Sequence, residues 1–228
     1  MASKKKTQPQ PKTQPQVAKK SSDVSVMLKE AAILFAITLV SGLLLGFVYE
    51  VTKEPIRIQQ EKAVQEACMA VFPGAEELGI SFEPLQYTPE ESLVAAQAAN
   101  GVTIGTVFEA VDNTGALYGY VVQSTTSEGY AGDIVLYVGV KADASVSGVS
   151  ILEIGETAGL GMEAPKVLVP QFADKQVDSF TYTKTGSRTE SQVDAISGAT
   201  VTTKAVVNAV NGGLAAAQSL LEGGGTNE

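Results

Sequence analysis

Three short stretches carry the side chains that could do chemistry. The first, Asp194-Ala195-Ile196-Ser197-Gly198-Ala199-Thr200, is a polar turn placed directly before a long helical pattern. Ser197, Gly198 and Ala199 are small enough for a ligand to approach the backbone closely. The free N–H groups at the start of the following helix favour an anion, phosphate above all. Thr200 adds a hydroxyl at the same spot. The second stretch, Glu156-Thr157-Ala158-Gly159-Leu160-Gly161-Met162, follows a strand candidate, and the third, Gly129-Tyr130-Ala131-Gly132, sets a tyrosine between glycines. Each also has a plain structural reading. Ser-Gly turns cap and stop helices, glycine pairs make loops, and a loop tyrosine can be an ordinary half-buried aromatic.

Other chemistries fall away on composition. The chain has no His and one Cys, so zinc and haem sites, Ser-His-Asp triads and disulfide frameworks have no support, and no metal site is expected. Cys68 lies in a helical apolar pattern and is expected to pack as a small hydrophobe. Gly159-Leu160-Gly161-Met162-Glu163-Ala164 fits the Gly-x-Gly-x-x-Ala dinucleotide fingerprint. Pro165 stands where that fingerprint's helix should already be running, and no βαβ unit surrounds it, so this reading is rejected. Lys184-Thr185-Gly186 matches a β-lactamase element, but its Ser-x-x-Lys partner occurs only at Ser3–Lys6, and it too is set aside.

The charge pattern and one apolar run set the organisation. Residues 1–30 hold seven Lys against Asp23 and Glu30, a net of +5. The remainder holds 9 basic and 23 acidic side chains, a net of −14, which leaves nothing to hold nucleic acid. Residues 1–22, with Gln-Pro-Gln-Pro-Lys-Thr-Gln-Pro-Gln at their centre, are expected to be disordered. Ala31 to Tyr49 is 19 residues without a charge, about 28 Å as helix, which matches a bilayer core. No cleavage site follows it, so the run reads as an uncleaved anchor. The lysine excess puts the N-terminus in the cytoplasm and everything after Glu50 outside. Thr38, Gly42 and Gly46 fall four apart in the anchor and offer a face for another membrane helix.

Beyond the anchor, Arg57 to Val71 reads as an amphipathic helix stopped by Pro73-Gly74. Residues 84–101, acidic and Ala-rich, are expected to be a surface excursion. Four strands are expected at Val102–Val111, Leu117–Ser124, Asp133–Val140 and Val146–Ile154, with antiparallel pairing across the loops Asn113-Thr114-Gly115 and Lys141-Ala142-Asp143. Pro165–Phe172 reads as a helix. Thr200 opens the last one, which runs to Leu221 with Val206, Val210, Leu214, Ala217 and Leu221 as its core stripe. Gly212-Gly213 is expected to weaken its middle by about 1 kcal/mol per residue. The fold class is α+β: a single N-terminal transmembrane helix, then one extracytoplasmic domain with an antiparallel sheet flanked by helices. The expected boundaries are a disordered cytoplasmic tail at 1–26, the anchor at 27–50, the domain at 51–222 and a flexible tail at 223–228.

Asp194-x-x-Ser197-Gly198-Ala199-Thr200 resembles the flavinylation motif of the FMN-binding domain found in Rnf and Na⁺-pumping NADH:quinone reductase complexes. Glu156-Thr157-Ala158-Gly159-Leu160-Gly161 resembles that family's Glu-Thr-Pro-Gly-Leu-Gly loop, with Ala158 replacing the usual Pro. Gly129-Tyr130-Ala131-Gly132 is similar to its Gly-Tyr-Gly-Gly segment, and Phe72-Pro73-Gly74-Ala75 to the segment after the first external helix of Rnf G subunits. The resemblance spans Met27 to Leu221. It implies FMN bound covalently through a phosphoester to Thr200, beside Ser197, Gly198 and Ala199. It also implies that Glu156, Thr157, Leu160 and Gly161 lie along the flavin ring, with Tyr130 nearby. A separate flavin transferase using FAD and Mg²⁺ would install the group. The other membrane subunits of an Rnf-type complex would be the partners, and the task would be electron transfer within ferredoxin:NAD⁺ oxidoreduction coupled to Na⁺ or H⁺ export. Two rivals stay open: the C subunit of the Na⁺-pumping quinone reductase or a stand-alone anchored flavoprotein, and a non-redox anchored binding module.

Overall fold

The computed structural model describes residues 23–223. The expected disorder of residues 1–22 and most of the expected C-terminal tail lie outside them. The chain divides into two compact units, Met1–Ile56 and Arg57–Glu228.

Helix α1 spans Asp23–Val71, with Pro55 inside it. The proline removes one i to i−4 hydrogen bond without ending the helix. In the first unit α1 is long and apolar enough to cross a membrane, with a mean hydropathy of 2.5. Its apolar side chains are exposed, Leu45 at 73% and Phe47 at 69%. The hydroxyl of Thr38 donates to the carbonyls of Leu34 and Phe35, and that of Thr52 to Val48 and Tyr49. These polar groups are therefore satisfied without water.

In the second unit α1 ends at Val71, and a tight turn through Gly74 (φ 83°) leads to the short helix α2, Ala75–Leu78. Five strands follow: β1 (Ser81–Leu85), β2 (Val102–Val111), β3 (Leu117–Thr126), β4 (Ile134–Lys141) and β5 (Val146–Ile154). They form one antiparallel sheet in sequence order. The sheet thus has one strand more than the sequence suggested. Residues 84–101 are not a bare excursion: they complete β1 and then form α3, Glu91–Ala98. Pro84 is tolerated there because β1 is an edge strand.

Loop chemistry agrees with the expected hairpins. Between β2 and β3, Asp112 Oδ1 accepts the Thr114 and Ala116 N–H groups and the Thr114 hydroxyl, and Gly115 takes φ 81°. Asp143 receives Ser145 in the same way between β4 and β5.

Both faces of the central strands are buried, so side chains alternate between two cores. On one face Tyr120, Val122, Leu136, Val138 and Val140 pack under the last helix, α5, Thr200–Leu221. On the other, Val121 and Tyr137 meet Ala67, Cys68, Val71 and Phe72. Burial pushes the Cys68 thiol up to about 12, which makes it an inert core residue. The predicted Pro165–Phe172 helix is broken in two: α4 (Ala164–Val167) and a 3₁₀ turn (Val169–Gln171) with Pro170 at its second position. A parallel pair, β6 (Thr181–Thr183) and β7 (Gln192–Asp194), delivers the chain to α5.

Helix α5 lies across β2, β3 and β4. Val206, Val210, Leu214 and Ala217 are buried as the stripe predicted, and Leu221 is half-buried. Gly212 and Gly213 are not the weak point that helix propensity suggested. A Cβ on Gly212 would lie 2.7 Å from Val102 Cγ1, and one on Gly213 would lie 2.7 Å from Val138 Cγ2. The two glycines let the helix backbone rest on the sheet. Gln97 donates to the Gly212 carbonyl and Ser124 to that of Ala209, which fixes the seat. Gly213→Ala should therefore destabilise the domain by about 1–3 kcal/mol from overpacking, outweighing the ~1 kcal/mol gained in helix propensity. A chemical denaturation midpoint above that of the wild type would contradict this.

Candidate functional site

The three motif stretches meet at the N-terminus of α5. The polar turn leaves β7 at Asp194, whose N–H donates to Gln171 Oε1 at 2.6 Å while Gln171 Nε2 donates back to the Asp194 carbonyl. Gly198 takes φ 79°, a left-handed conformation that suits glycine. The cap residue Ala199 has no side-chain bond to offer the helix. Thr203 closes the turn from inside: its hydroxyl donates to the Ala199 carbonyl at 2.8 Å and accepts the Ile196 N–H at 3.1 Å. Thr200 is then the first helical residue and is half-buried. By geometry the first N–H groups of this 22-residue helix have no intrahelical acceptor.

A cleft of about 480 Å³ opens at this point. It is lined by Tyr130, Glu156, Thr157, Leu160, Gly161, Gly198, Ala199 and Thr200, together with Val201 and Thr202. Every predicted site residue but one is therefore at a single cleft. The exception is Ser197, which is exposed and does not line it. Tyr130 is 73% exposed at the rim rather than half-buried. The Gly159–Ala164 stretch makes a glycine turn and one 3₁₀ turn, with no long helix after it, which fits the rejection of the dinucleotide fingerprint.

Thr202 is the residue that sequence reasoning missed. It is 1% exposed, and its hydroxyl donates to Glu156 Oε2 at 3.0 Å. Glu156 Oε1 accepts the N–H of Tyr130 at 2.7 Å and that of Ala131 at 3.3 Å. The available signal was the Thr200-Val201-Thr202-Thr203 run, too hydroxyl-rich for the buried side of a helix unless those hydroxyls have partners.

The cleft has room for a cofactor with an anionic end. Its volume lies within the ~300–1,000 Å³ of cofactor sites. Glycines at 161 and 198 keep its walls low, and the Thr200 hydroxyl stands at the anion-favouring end of a long helix. Among the described residues no Lys or Arg lines it, and the nearby Lys204 is paired with Glu128 at 3.0 Å. A second groove of about 610 Å³, lined by Val64, Cys68, Met69, Phe82 and Phe108 among others, contains none of the motif residues.

Comparison with known proteins places the chain in a family. Residues 129–215 match the FMN-binding domain, and residues 21–71 match the RnfG N-terminal region. The class is thus an FMN-binding domain carried behind an apolar N-terminal helix. Among relatives, the G subunit of the Na⁺-translocating ferredoxin:NAD⁺ oxidoreductase complex of Acetobacterium woodii is 30% identical, over 87% of this chain and 95% of that one. The G subunit of an ion-translocating oxidoreductase complex of Methanosarcina acetivorans is 31% identical over 83% and 94%. The G subunit of the proton-translocating ferredoxin:NAD⁺ oxidoreductase complex of Clostridium ljungdahlii is 32% identical over 80% and 90%. A crystal structure of NqrC from Shewanella oneidensis is also similar, at 27% identity and a TM-score of 0.44 over 52% of this chain and 59% of that one. The chain belongs to the G-subunit family of ion-translocating Rnf oxidoreductase complexes.

Proposed function

We propose that this chain is the electron-transfer subunit that carries covalent FMN outside the membrane in an Rnf-type complex. The observation that carries the reading is the meeting of Tyr130, Glu156–Gly161 and Gly198–Thr200 at one cleft, at the start of α5. Thr200 is the attachment point. Its oxygen bonds to the phosphorus of the FMN moiety of FAD, AMP departs, and the hydroxyl proton is released. A threonine hydroxyl needs an external base or metal to attack, and no His stands anywhere in the chain. A separate Mg²⁺-dependent flavin transferase supplies that activation.

Energetics favour a bond over reversible binding. The helix N-terminus contributes about 0.3–2 kcal/mol towards an anion, which is at most roughly thirty-fold in affinity. With no basic side chain among the described residues lining the cleft, that is too little to retain a cofactor in a compartment that does not replace it. The flavin, once attached, supplies the redox chemistry. The chain's residues fix its phosphate end at Thr200, shape the cleft with glycines and place Tyr130 at the rim.

The remaining assignments follow from the anchor. The run Ala31–Tyr49 crosses the bilayer once, the Lys-rich N-terminus stays in the cytoplasm, and the sheet domain lies outside. Gly42 and Gly46, four residues apart on the anchor, give the small-residue face on which other membrane subunits pack. The chain then acts as one redox station of a translocase and has no complete activity alone.

Co-expression with the flavin transferase should give a band of this chain that fluoresces under ultraviolet light after denaturing electrophoresis. A dark band, with a control protein flavinylated in the same cells, would exclude the covalent flavin.

A further inference from the structure

We propose that Glu156 is a positioning residue that clasps the Tyr130 loop to the first turn of α5, and that its charge holds the flavin at low potential. This rests on the flavin reading above.

The carboxyl group joins three chain segments. It stands two residues beyond β5 and is 8% exposed. Oε1 accepts the Tyr130 and Ala131 N–H groups from the loop between β3 and β4, and Oε2 accepts the Thr202 hydroxyl from α5. Both oxygens act as acceptors, one for two backbone N–H groups and the other for a hydroxyl. Hydrogen bonds to charged groups are the stronger kind, so the clasp sets where the Tyr130 rim sits relative to Thr200.

The glycines of both loops make room for this group. A Cβ on Gly161 would lie 2.7 Å from Glu156 Cβ, 2.8 Å from its Oε2 and 2.7 Å from Thr202 Oγ1. A Cβ on Gly129 would lie 2.8 Å from Glu156 Oε1 and would also meet the Gly132 carbonyl. The two glycine-bearing stretches thus serve one purpose together, which is to house a buried carboxylate.

Its electrical effect has a definite sign. Glu156 is the one charged side chain among the described residues lining the cleft. Each electron that a bound flavin accepts without a proton adds negative charge to the ring. A fixed negative charge at reduced dielectric opposes that addition and lowers the midpoint potential.

Glu156→Gln separates the two roles. The amide oxygen still accepts from Tyr130, the amide nitrogen can donate to the Thr202 oxygen, and only the charge is lost. The test uses the full chain with its anchor, flavinylated by co-expression, with midpoint potential read by spectroelectrochemistry and backbone amide exchange read at Tyr130 and Ala131. Glu156→Gln should keep the flavin mass, shift the midpoint potential positive, and leave exchange at both amides within about three-fold of the wild type. Glu156→Ala should speed exchange at both amides by roughly ten-fold or more, as expected for a lost charge-assisted hydrogen bond. Thr202→Val should weaken the visible circular dichroism of the bound flavin, with Thr202→Ser restoring it. An unmoved potential in Glu156→Gln would overturn the charge role, and unmoved exchange in Glu156→Ala would overturn the clasp. Amide exchange can be read without flavin. A wild type lacking flavin mass would therefore overturn the flavin reading and the charge role, while exchange would still decide the clasp.

Discussion

Thr200→Val is expected to abolish covalent flavin completely while leaving the fold intact. The wild type, produced with the flavin transferase, should gain the mass of FMN minus one water, and the variant should show none of it. Valine keeps the β-branched shape and removes only the hydroxyl. That hydroxyl makes no hydrogen bond among the described residues, since the threonine bonds at this helix start belong to Thr202 and Thr203. Thr200 is half-buried at a cleft rim, so the stability change should stay within about 0.5 kcal/mol. Thermal denaturation of the unflavinylated proteins measures this. A variant that still gains the flavin mass would place the bond on another hydroxyl.

Leu214→Ala is expected to do the reverse. Leu214 is fully buried between α5 and the sheet. Its truncation should cost about 2–5 kcal/mol through lost burial and the cavity left behind. It stands 14 residues beyond Thr200 on the same helix, about 21 Å away, so the cleft itself is untouched. Folded Leu214→Ala should therefore be flavinylated to the wild-type extent, although it unfolds at markedly lower denaturant. If Leu214→Ala lost flavin while remaining folded, the attachment site would depend on the whole helix and not on its first turn. The two variants together separate the chemistry of Thr200 from the packing that presents it.

Much of this arrangement could be read from the sequence, for identifiable reasons. Strands β2 to β5 announce themselves because runs of β-branched residues are separated by turns such as Asn113-Thr114-Gly115, whose Asp112 partner is local. Helix α5 is legible because Val206, Val210 and Leu214 repeat at helical spacing above a strong polar turn. The cleft was legible through its motifs, each of which is a short contiguous string. What escaped depends on contacts between residues distant in the chain. Strand β1 and helix α3 hide behind Glu83, Pro84, Glu90 and Glu91, because an edge strand and a surface helix bury little and so leave little apolar pattern. Gly212-Gly213 reads as a weakness in isolation and as a close-packing device only once Val102 and Val138 are beside it. Thr202 looks like a plain helical residue until Glu156, 46 positions away, is found to accept a hydrogen bond from its hydroxyl.

These misses share one cause. Local pattern reports which element a segment forms, whereas a buried polar pair or a glycine contact is decided by which elements meet. The charge of the cleft illustrates this best. The acidic balance of the chain implied poor anion retention, but only the fold shows that, among the described residues, the single charged group on the cleft wall is Glu156, tied at both oxygens.

The most direct test is fragment-ion mass spectrometry of the flavin-bearing peptide from the wild-type chain. The account predicts the added FMN phosphoryl group on Thr200, with Ser197, Thr202 and Thr203 unmodified in the same peptide. A flavin localised to any of those three residues, or a peptide without flavin from cells with an active transferase, would contradict it.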